Sequence, residues 1–351
     1  MDKTDILSLD EKQLEKAVGA LLAPKYRAAQ IFDWLHNKCV KSFDEMTNIP
    51  KDLLLQLSDN FVIIHCSIEK KQKSMYDSTV KYLFSLSDGE LVECVVMKYK
   101  YGYSICVSTQ IGCKVGCTFC ASGIFGYKRN LTGSEMLAQV YAAQKDLGVK
   151  ISHIVLMGMG EPLHNYDNVI KFLRLISSPS GQNISMRRIT VSTSGVVPKI
   201  YELAKLNLGI TLSVSLHAPN DDIRSSIMPI NKKWGIIELL TACRYYAKTT
   251  SRRVTFEYTM ISGVNDSDDC AYELVQLLRG LLCHINLIPV NEVLGKNNIK
   301  SNQSRIEAFY LILKNEGLNV TIRRSLGDDI DASCGQLRMK EIDHKEQTRK
   351  W

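Results

Sequence analysis

The stretch YSICVSTQIGCKVGCTFC, residues 103–120, decides the fold. An apolar strand-like run, Ile105–Cys106–Val107, passes directly into three cysteines, Cys113, Cys117 and Cys120, spaced C-x3-C-x2-C. Downstream the same kind of strand recurs: SHIVLMG, RRITVSTSG, ITLSVSLHAP, RRVTFEYTM and CHINLIPVN. Amphipathic stretches such as SEMLAQVYAAQKDLG, DNVIKFLRLI and CAYELVQLLRGLL separate them. Continuous apolar strands alternating with helices predict a parallel sheet covered by helices. Six such units predict an α/β fold, a partial (β/α)6 barrel, short of the eight units that close a full one.

Upstream the pattern is different. Residues 1–60 read as a small helical module, with DEKQLEKAVGALL, KYRAAQIFDWLHNK and KDLLLQLSDNF interrupted near Pro24 and Pro50. Residues 61–103 alternate like strands around Asp88–Gly89, which predicts a β-hairpin extension leading into a main domain over 104–351.

Composition narrows the class. The 351 residues are 45% hydrophobic and 23% charged, enough to bury a full core. No apolar run approaches the roughly 18 residues of a membrane span, and MDKTDILSLD lacks the marks of an export signal, so a cytoplasmic protein is expected, with no membrane partner. Eleven cysteines, an odd number without regular spacing, fit a reducing compartment better than a disulfide framework. The net charge of +7 and the pairs Lys128–Arg129, Arg187–Arg188, Arg252–Arg253 and Arg323–Arg324 suit a polyanionic partner, although a solvated surface gives the same numbers.

Polar residues fall where a barrel builds its site. The second strand runs into GMGEP with Glu161, the third ends with Ser192, the fourth with Ser215 and His217, and the sixth with Asn291. Each alone could close a turn or cap a helix; sharing the carboxyl ends of successive strands makes them a constellation. In the cysteine triplet, three thiolates would hold three irons of a cubane and leave the fourth open to an external ligand. The competing reading, structural zinc, requires four closed ligands, and no fourth cysteine or histidine follows nearby. Brown, iron- and sulfide-containing protein would separate the first reading from colourless zinc protein serving as a non-enzymatic RNA-binding module.

The triplet at the mouth of the first strand resembles the radical S-adenosylmethionine (SAM) superfamily, and GMGEP resembles the motif lying near the methionine amino group in that superfamily. A dinucleotide or Rossmann-type reading of that motif fails, since Leu163 stands at its third glycine position. GCKVGCTFCASGIFGYKRNLT, GMGEPLHNYDNV, RRITVSTSGVVP, SLHAPNDDIRSSIMPINKK, HINLIPVN and GDDIDASCGQL, in this order, resemble the RlmN family of RNA methyltransferases over nearly the whole chain.

That resemblance implies methylation of adenine C2 in 23S rRNA, at the peptidyl transferase centre, and of the adenine beside the anticodon in tRNA. It implies a [4Fe-4S] cluster on Cys113, Cys117 and Cys120, and SAM used twice per turnover as methyl donor and radical source. SAM contacts fall on Gly160, Glu161, Ser192, Ser215, Leu216, His217 and Asn291. It assigns Cys334 as the thiol that first takes the methyl group, Cys106 as the cysteine that resolves the RNA adduct by forming a disulfide with it, and Glu93 as an acceptor for the C2 proton, a role shared with Cys106 in an undetermined way. The chemistry agrees: adenine C2 is electron-poor and attacks a sulfonium methyl badly, whereas a thiolate attacks it well.

Two positions depart from the usual family pattern, Ser333 before the acceptor cysteine and Cys94 after Glu93. Cys39, Cys66, Cys243, Cys270 and Cys283 read as structural. A stacked base cannot present C2 to a barrel mouth, so the RNA must offer a flipped or unpaired nucleotide, with Lys25, Arg27 and Lys38 of the helical module gripping it elsewhere. An external one-electron donor such as flavodoxin or ferredoxin is implied, and a monomer is the default. The rival is Cfr-like methylation at C8, which confers antibiotic resistance; STSG and VECVVM resemble RlmN more closely.

Overall fold

The computed structural model describes residues 3–124, 126–291, 298–324 and 326–330. The chain opens with β1 (Thr4–Asp5), α1 (Glu11–Ala20), α2 (Tyr26–His36), α3 (Lys51–Asn60) and β2 (Phe61–Val62), β1 and β2 pairing in parallel. A capping box between Asp10 and Gln13 starts α1. Ile31, Phe32 and Leu35 of α2 turn one face inward.

Next come β3 (Ser67–Lys73), β4 (Val80–Ser85), β5 (Leu91–Tyr99) and β6 (Gly102–Cys106). They form an antiparallel meander, with the β4–β5 turn at Gly89, whose φ of +80° suits glycine. The expected hairpin linker is therefore one edge of the main sheet. Strand β3, SIEKKQK, is exposed at nearly every position and offers no apolar alternation, which hides it in the sequence.

After β6 the chain makes a small ribbon, β7 (Gln110–Gly112) with β8 (Tyr127–Asn130), and the cysteine loop hangs between its strands. The units then follow: α4 (Gly133–Leu147), β9 (Ile151–Leu156), α5 (Tyr166–Ile176), β10 (Ile189–Thr193), α6 (Val197–Leu206) and β11 (Thr211–Ser215). After them come α7 (Asp221–Ile227), α8 (Ile236–Thr250), β12 (Val254–Met260), α9 (Asp268–Leu278), β13 (Cys283–Pro289), α10 (Gln303–Asn315) and β14 (Val320–Ile322). Side-chain caps from Thr132, Asn220, Ser267 and Asn302 fix the starts of α4, α7, α9 and α10.

The sheet runs β14-β13-β12-β11-β10-β9-β6-β5-β4-β3, parallel from β14 to β6 and antiparallel beyond. The six expected parallel strands are all present. A seventh, β14, has only three residues and was too short to announce itself. Among the described residues the two edges do not pair, so the barrel is partial. Alternate residues of each strand, such as Ile189 and Val191, Leu212 and Val214, Phe256 and Tyr258, pack outward under the helices in one core. The intervening residues face the barrel interior.

Residues 1–60 do not stand apart. Ile6, Leu14, Phe32, Leu53 and Leu57 belong to the same apolar core as the sheet, and His36 Nδ1 meets the Tyr141 hydroxyl of α4 at 2.9 Å. Deleting the module would therefore strip the barrel's own core. Of its expected RNA contacts, Arg27 donates to the Asn48 carbonyl at 2.9 Å, and the Lys38 ammonium lies 3.5 Å from the Trp34 ring centroid and 3.4 Å from Asp33; Lys25 is exposed. The Lys128–Arg129 pair is likewise neutralised, by Glu90, Asp88 and Glu135, tying the ribbon to the β4–β5 turn. Among the described residues, no helix is long and apolar enough to cross a membrane.

Candidate active site

At the carboxyl ends of the parallel strands lies a cavity of about 230 Å³, lined by Cys113, Cys117, Cys120, Gly160, Glu161, Ser192, Ser215 and His217. The sequence places these residues up to 104 positions apart, from Cys113 to His217; the fold brings them to one mouth. Gly112, at the loop entrance with φ +75°, could not carry a side chain, because a Cβ would collide with the Gly126 carbonyl oxygen. Farther along, the Thr118 amide donates to Ile227 O at 2.9 Å.

Among the described residues no group of His, Cys, Asp or Glu closes around a single ion, as a four-ligand zinc site would require. Three thiols that line one cavity instead suit a cluster whose irons lie apart. Burial pushes the Cys113 thiol up to about 12 and raises Cys117 as well, so ionisation of the set calls for a strongly positive partner such as iron. The donor set fits the [4Fe-4S] group.

GMGEP, part of which lines the same cavity, is held tightly. Gly160 has φ +106°, and a Cβ there would sit 2.6 Å from Gln110 Cβ. Gln110 Oε1 accepts from the Glu161 amide at 2.8 Å. The Glu161 carboxylate, 3% exposed, accepts from Leu163 N (2.9 Å), Thr193 Oγ1 (2.8 Å) and Ser194 N (2.6 Å). Burial nevertheless raises its pKa above the ordinary carboxylate value.

His217 has φ +56°, and its Nδ1 accepts from Thr259 N at 2.9 Å, which leaves the proton on Nε2. Burial, and secondarily Arg224, push its pKa down to about 3, so the ring is neutral and Nε2 is a donor. Phe119, between two cluster cysteines, meets the ring edge-on at 4.9 Å.

Two residues expected to contact SAM, Leu216 and Asn291, are not among those lining this cavity. Leu216 buries its side chain in the main core, and its amide and carbonyl are bonded to Glu257 O and Arg224 Nε. Asn291 is exposed two residues past β13 and does not line the cavity. Ser192 and Ser215 line it as expected.

Sequence reasoning also passed over two residues. Arg224, 1% exposed, donates to Leu216 O (3.1 Å), Ser194 O (2.7 Å), Ser215 O (2.9 Å) and Asn231 Oδ1 (2.8 Å), joining the ends of β10 and β11. It sits on a helix, outside the strand-end rule that found the others. Glu257 lines the cavity from β12, accepting from Ser213 Oγ at 2.7 Å and Asn286 Nδ2 at 2.9 Å. Its signal was a carboxylate inside the apolar strand RRVTFEYTM.

A second cluster lies beside the cavity on the antiparallel side. Cys106, 7% exposed, packs with Val95, Met97, Met157 and Leu326. Met157 also lines the cavity, so the two share a wall. Glu93 points to this same interior face, because Val92, Cys94 and Val96 belong to the outer core. It is not a surface carboxylate: it is 2% exposed and lies 3.1 Å from Lys81 Nζ, itself 0% exposed. Cys94 faces the opposite side of the sheet from Glu93. Cys66, Cys243, Cys270 and Cys283 are buried and Cys39 half-buried, as structural thiols should be. Cys334 and Ser333 lie outside the described residues.

Comparison with known proteins agrees with this geometry. Residues 107–275 match the family model described as "Radical SAM superfamily", and residues 4–63 match "Ribosomal RNA large subunit methyltransferase N-terminal domain". A relative from Alkaliphilus oremlandii named "Probable dual-specificity RNA methyltransferase RlmN" is 52% identical over 97% of this chain and 99% of its own. One from Clostridium novyi, with the same name, is 54% identical over 96% and 98%. The crystal structure of a radical SAM methyltransferase from Sphaerobacter thermophilus superposes with a TM-score of 0.91 at 45% identity, covering 95% of this chain and 98% of that one. The chain belongs to the RlmN family of radical SAM RNA methyltransferases, enzymes that work with a [4Fe-4S] cluster and SAM.

Proposed function

We propose that the enzyme methylates C2 of an adenine in 23S rRNA and of the adenine beside the anticodon in tRNA, with Cys334 carrying the methyl group. When bound, the cluster and SAM supply a 5′-deoxyadenosyl radical. Cys113, Cys117 and Cys120 would hold the cluster, while Gly160, Glu161, Ser192, Ser215 and His217 would hold SAM, His217 through its Nε2–H. Asn291 and the main chain of Leu216 remain proposed contacts from the family pattern.

The Cys334 thiolate would take the methyl group of one SAM, releasing S-adenosylhomocysteine, and one hydrogen atom of the S-methyl group would pass to the 5′-deoxyadenosyl radical, which leaves as 5′-deoxyadenosine. The resulting carbon radical would add to C2, with the C2 proton passing to Glu93 or Cys106 and one electron passing to the cluster or the external one-electron carrier. The Cys106 sulfur then attacks the Cys334 sulfur, a disulfide forms, and the displaced carbon takes a proton to become the methyl group. Glu93 and Cys106 share the interior face where the C2 proton must be received.

One observation supports this reading: Leu326, eight residues before Cys334, packs against the cluster of Val95, Met97 and Cys106 that shares a wall with the cofactor cavity. Four residues span at most about 14 Å, which bounds the separation of Cys334 from Ile330. Nucleoside mass spectrometry of rRNA and tRNA treated with the anaerobically reconstituted enzyme tests the product. 2-Methyladenosine in both is expected; 8-methyladenosine would overturn the C2 assignment.

RNA contact by the module of residues 1–60 also remains our proposal, as does an external electron donor. Because the module shares the barrel's core, the test is substitution of the exposed Lys25 by Glu, with weaker RNA binding and normal 5′-deoxyadenosine formation expected.

A further inference from the structure

The β3–β4 turn, residues 74–79, makes three hydrogen bonds across more than two hundred residues of sequence. Asp329 Oδ1 accepts from Ser74 Oγ at 2.8 Å and its Oδ2 from Met75 N at 2.7 Å. In return, Asp77 Oδ2 accepts from Gly327 N at 2.9 Å, while its Oδ1 closes the turn by accepting from Thr79 N at 2.7 Å. The turn is itself braced: Ser74 Oγ accepts from Tyr76 N and Asp77 N, both at 3.1 Å, and Ser74 N donates to Thr79 O.

Each side therefore supplies a carboxylate that binds the other side's backbone, and the charge of Asp77 acts to raise Asp329. Hydrogen bonding wins in both: desolvation acts to raise Asp77 but is outweighed, and the Met75 amide holds Asp329 below the usual carboxylate range. On either side of the two anchor points the chain packs Leu326 against the cluster of Val95, Met97 and Cys106 and buries Ile330, 7% exposed. Nothing in the core requires acids at Asp77 or Asp329; what they have in common is the segment they fix.

We propose that this turn is a hasp that positions the carboxy-terminal segment for reaction, with Asp77 and Asp329 as its positioning residues. The proposal rests on the reading of Cys334 as methyl carrier. Anchoring residues 327 and 329 shortens the free tether to position 334, which raises the effective concentration of that thiol at the site. Cutting the anchor lengthens the tether and leaves the cluster and SAM sites untouched.

The test uses the full-length reconstituted holoenzyme. Asp77→Ala and Asp329→Ala should each lower methylated RNA formed per 5′-deoxyadenosine by on the order of tenfold, with iron content and Tm unchanged. The double variant should be no worse than the weaker single, because one lost anchor already opens the hasp. Asp329→Asn, which keeps one of the two acceptors, should recover part of the coupling. Wild-type coupling in both single variants would overturn the proposal. So would losses of iron, Tm and product in parallel, which would mean a general structural role. Cys334→Ala run alongside separates the two claims: if that variant makes product, the methyl-carrier reading fails, whereas if it is inactive and the hasp variants are fully coupled, only the hasp fails.

Discussion

The two halves of the barrel mouth hold their polar groups by opposite means. On the parallel side, Glu161, Thr193, Ser194, Arg224 and the ends of β10 and β11 form a dense hydrogen-bonded lattice around the cofactor cavity. On the antiparallel side, Glu93, Lys81 and Cys106 sit among Leu83, Val95 and Met97, with one buried ion pair in an apolar wall. The first arrangement fixes ligand geometry through redundancy. The second excludes water around the Cys106 thiol and the Glu93 carboxyl.

Separating the halves by substitution has the largest effect. Cys117→Ala should lose the cluster and abolish both 5′-deoxyadenosine and methylated RNA, read by iron content and visible absorbance. Cys106→Ala should keep the iron and 5′-deoxyadenosine but stall with protein joined covalently to RNA, visible as a shifted band. Equal loss of both signals in the two variants would erase the division.

Next is the buried pair. Lys81→Met removes the ammonium 3.1 Å from the buried Glu93 carboxyl and should destabilise the fold by about 3–5 kcal/mol in denaturant titration. Replacing both, Lys81→Met with Glu93→Leu, should restore most of that loss without restoring methylation. A single variant as stable as the wild type would show that the antiparallel wall is wetter than its burial implies.

The lattice should yield less. Thr193→Val removes a donor to Glu161 and an acceptor for Gly195 N, and about 1–2 kcal/mol is expected, with weaker SAM binding and unchanged RNA affinity. A cost as large as that of Lys81→Met would contradict the redundancy assigned to that side.

The smallest effect at neutral pH belongs to His36, where the amino-terminal module meets α4. Burial lowers its pKa from 6.5 to about 3, so between those values the unfolded chain binds a proton that the folded chain refuses. Stability should fall by about 1.4 kcal/mol per pH unit as pH drops through that window, on account of this one group. His36→Asn keeps a partner for Tyr141 and should flatten that limb in acid denaturation, while Tm at pH 7 hardly moves.

The same contrast explains what the sequence disclosed. Parallel strands buried under helices appear as unbroken apolar runs, so β6 and β9–β13 were legible, and their polar termini marked Glu161, Ser192, Ser215 and His217. β14 is three residues long, and β3 is polar on both faces; neither has a periodic signature, so the hairpin was read as a linker when it is a sheet edge. Arg224 was missed because its work is done from a helix, through main-chain carbonyls that no motif records. For Leu216, family resemblance transfers a position without saying whether side chain or backbone acts there, and here the side chain belongs to the core. Resemblance marked Glu93 but not its partner Lys81; only the strand register turns both inward.

The most direct measurement is a single-turnover assay of Cys334→Ala with its cluster and SAM loaded as in the wild type. The account predicts that this variant still cleaves SAM to 5′-deoxyadenosine, retains no methyl group on the protein, and releases no methylated adenine. Methylated RNA from that variant would contradict it.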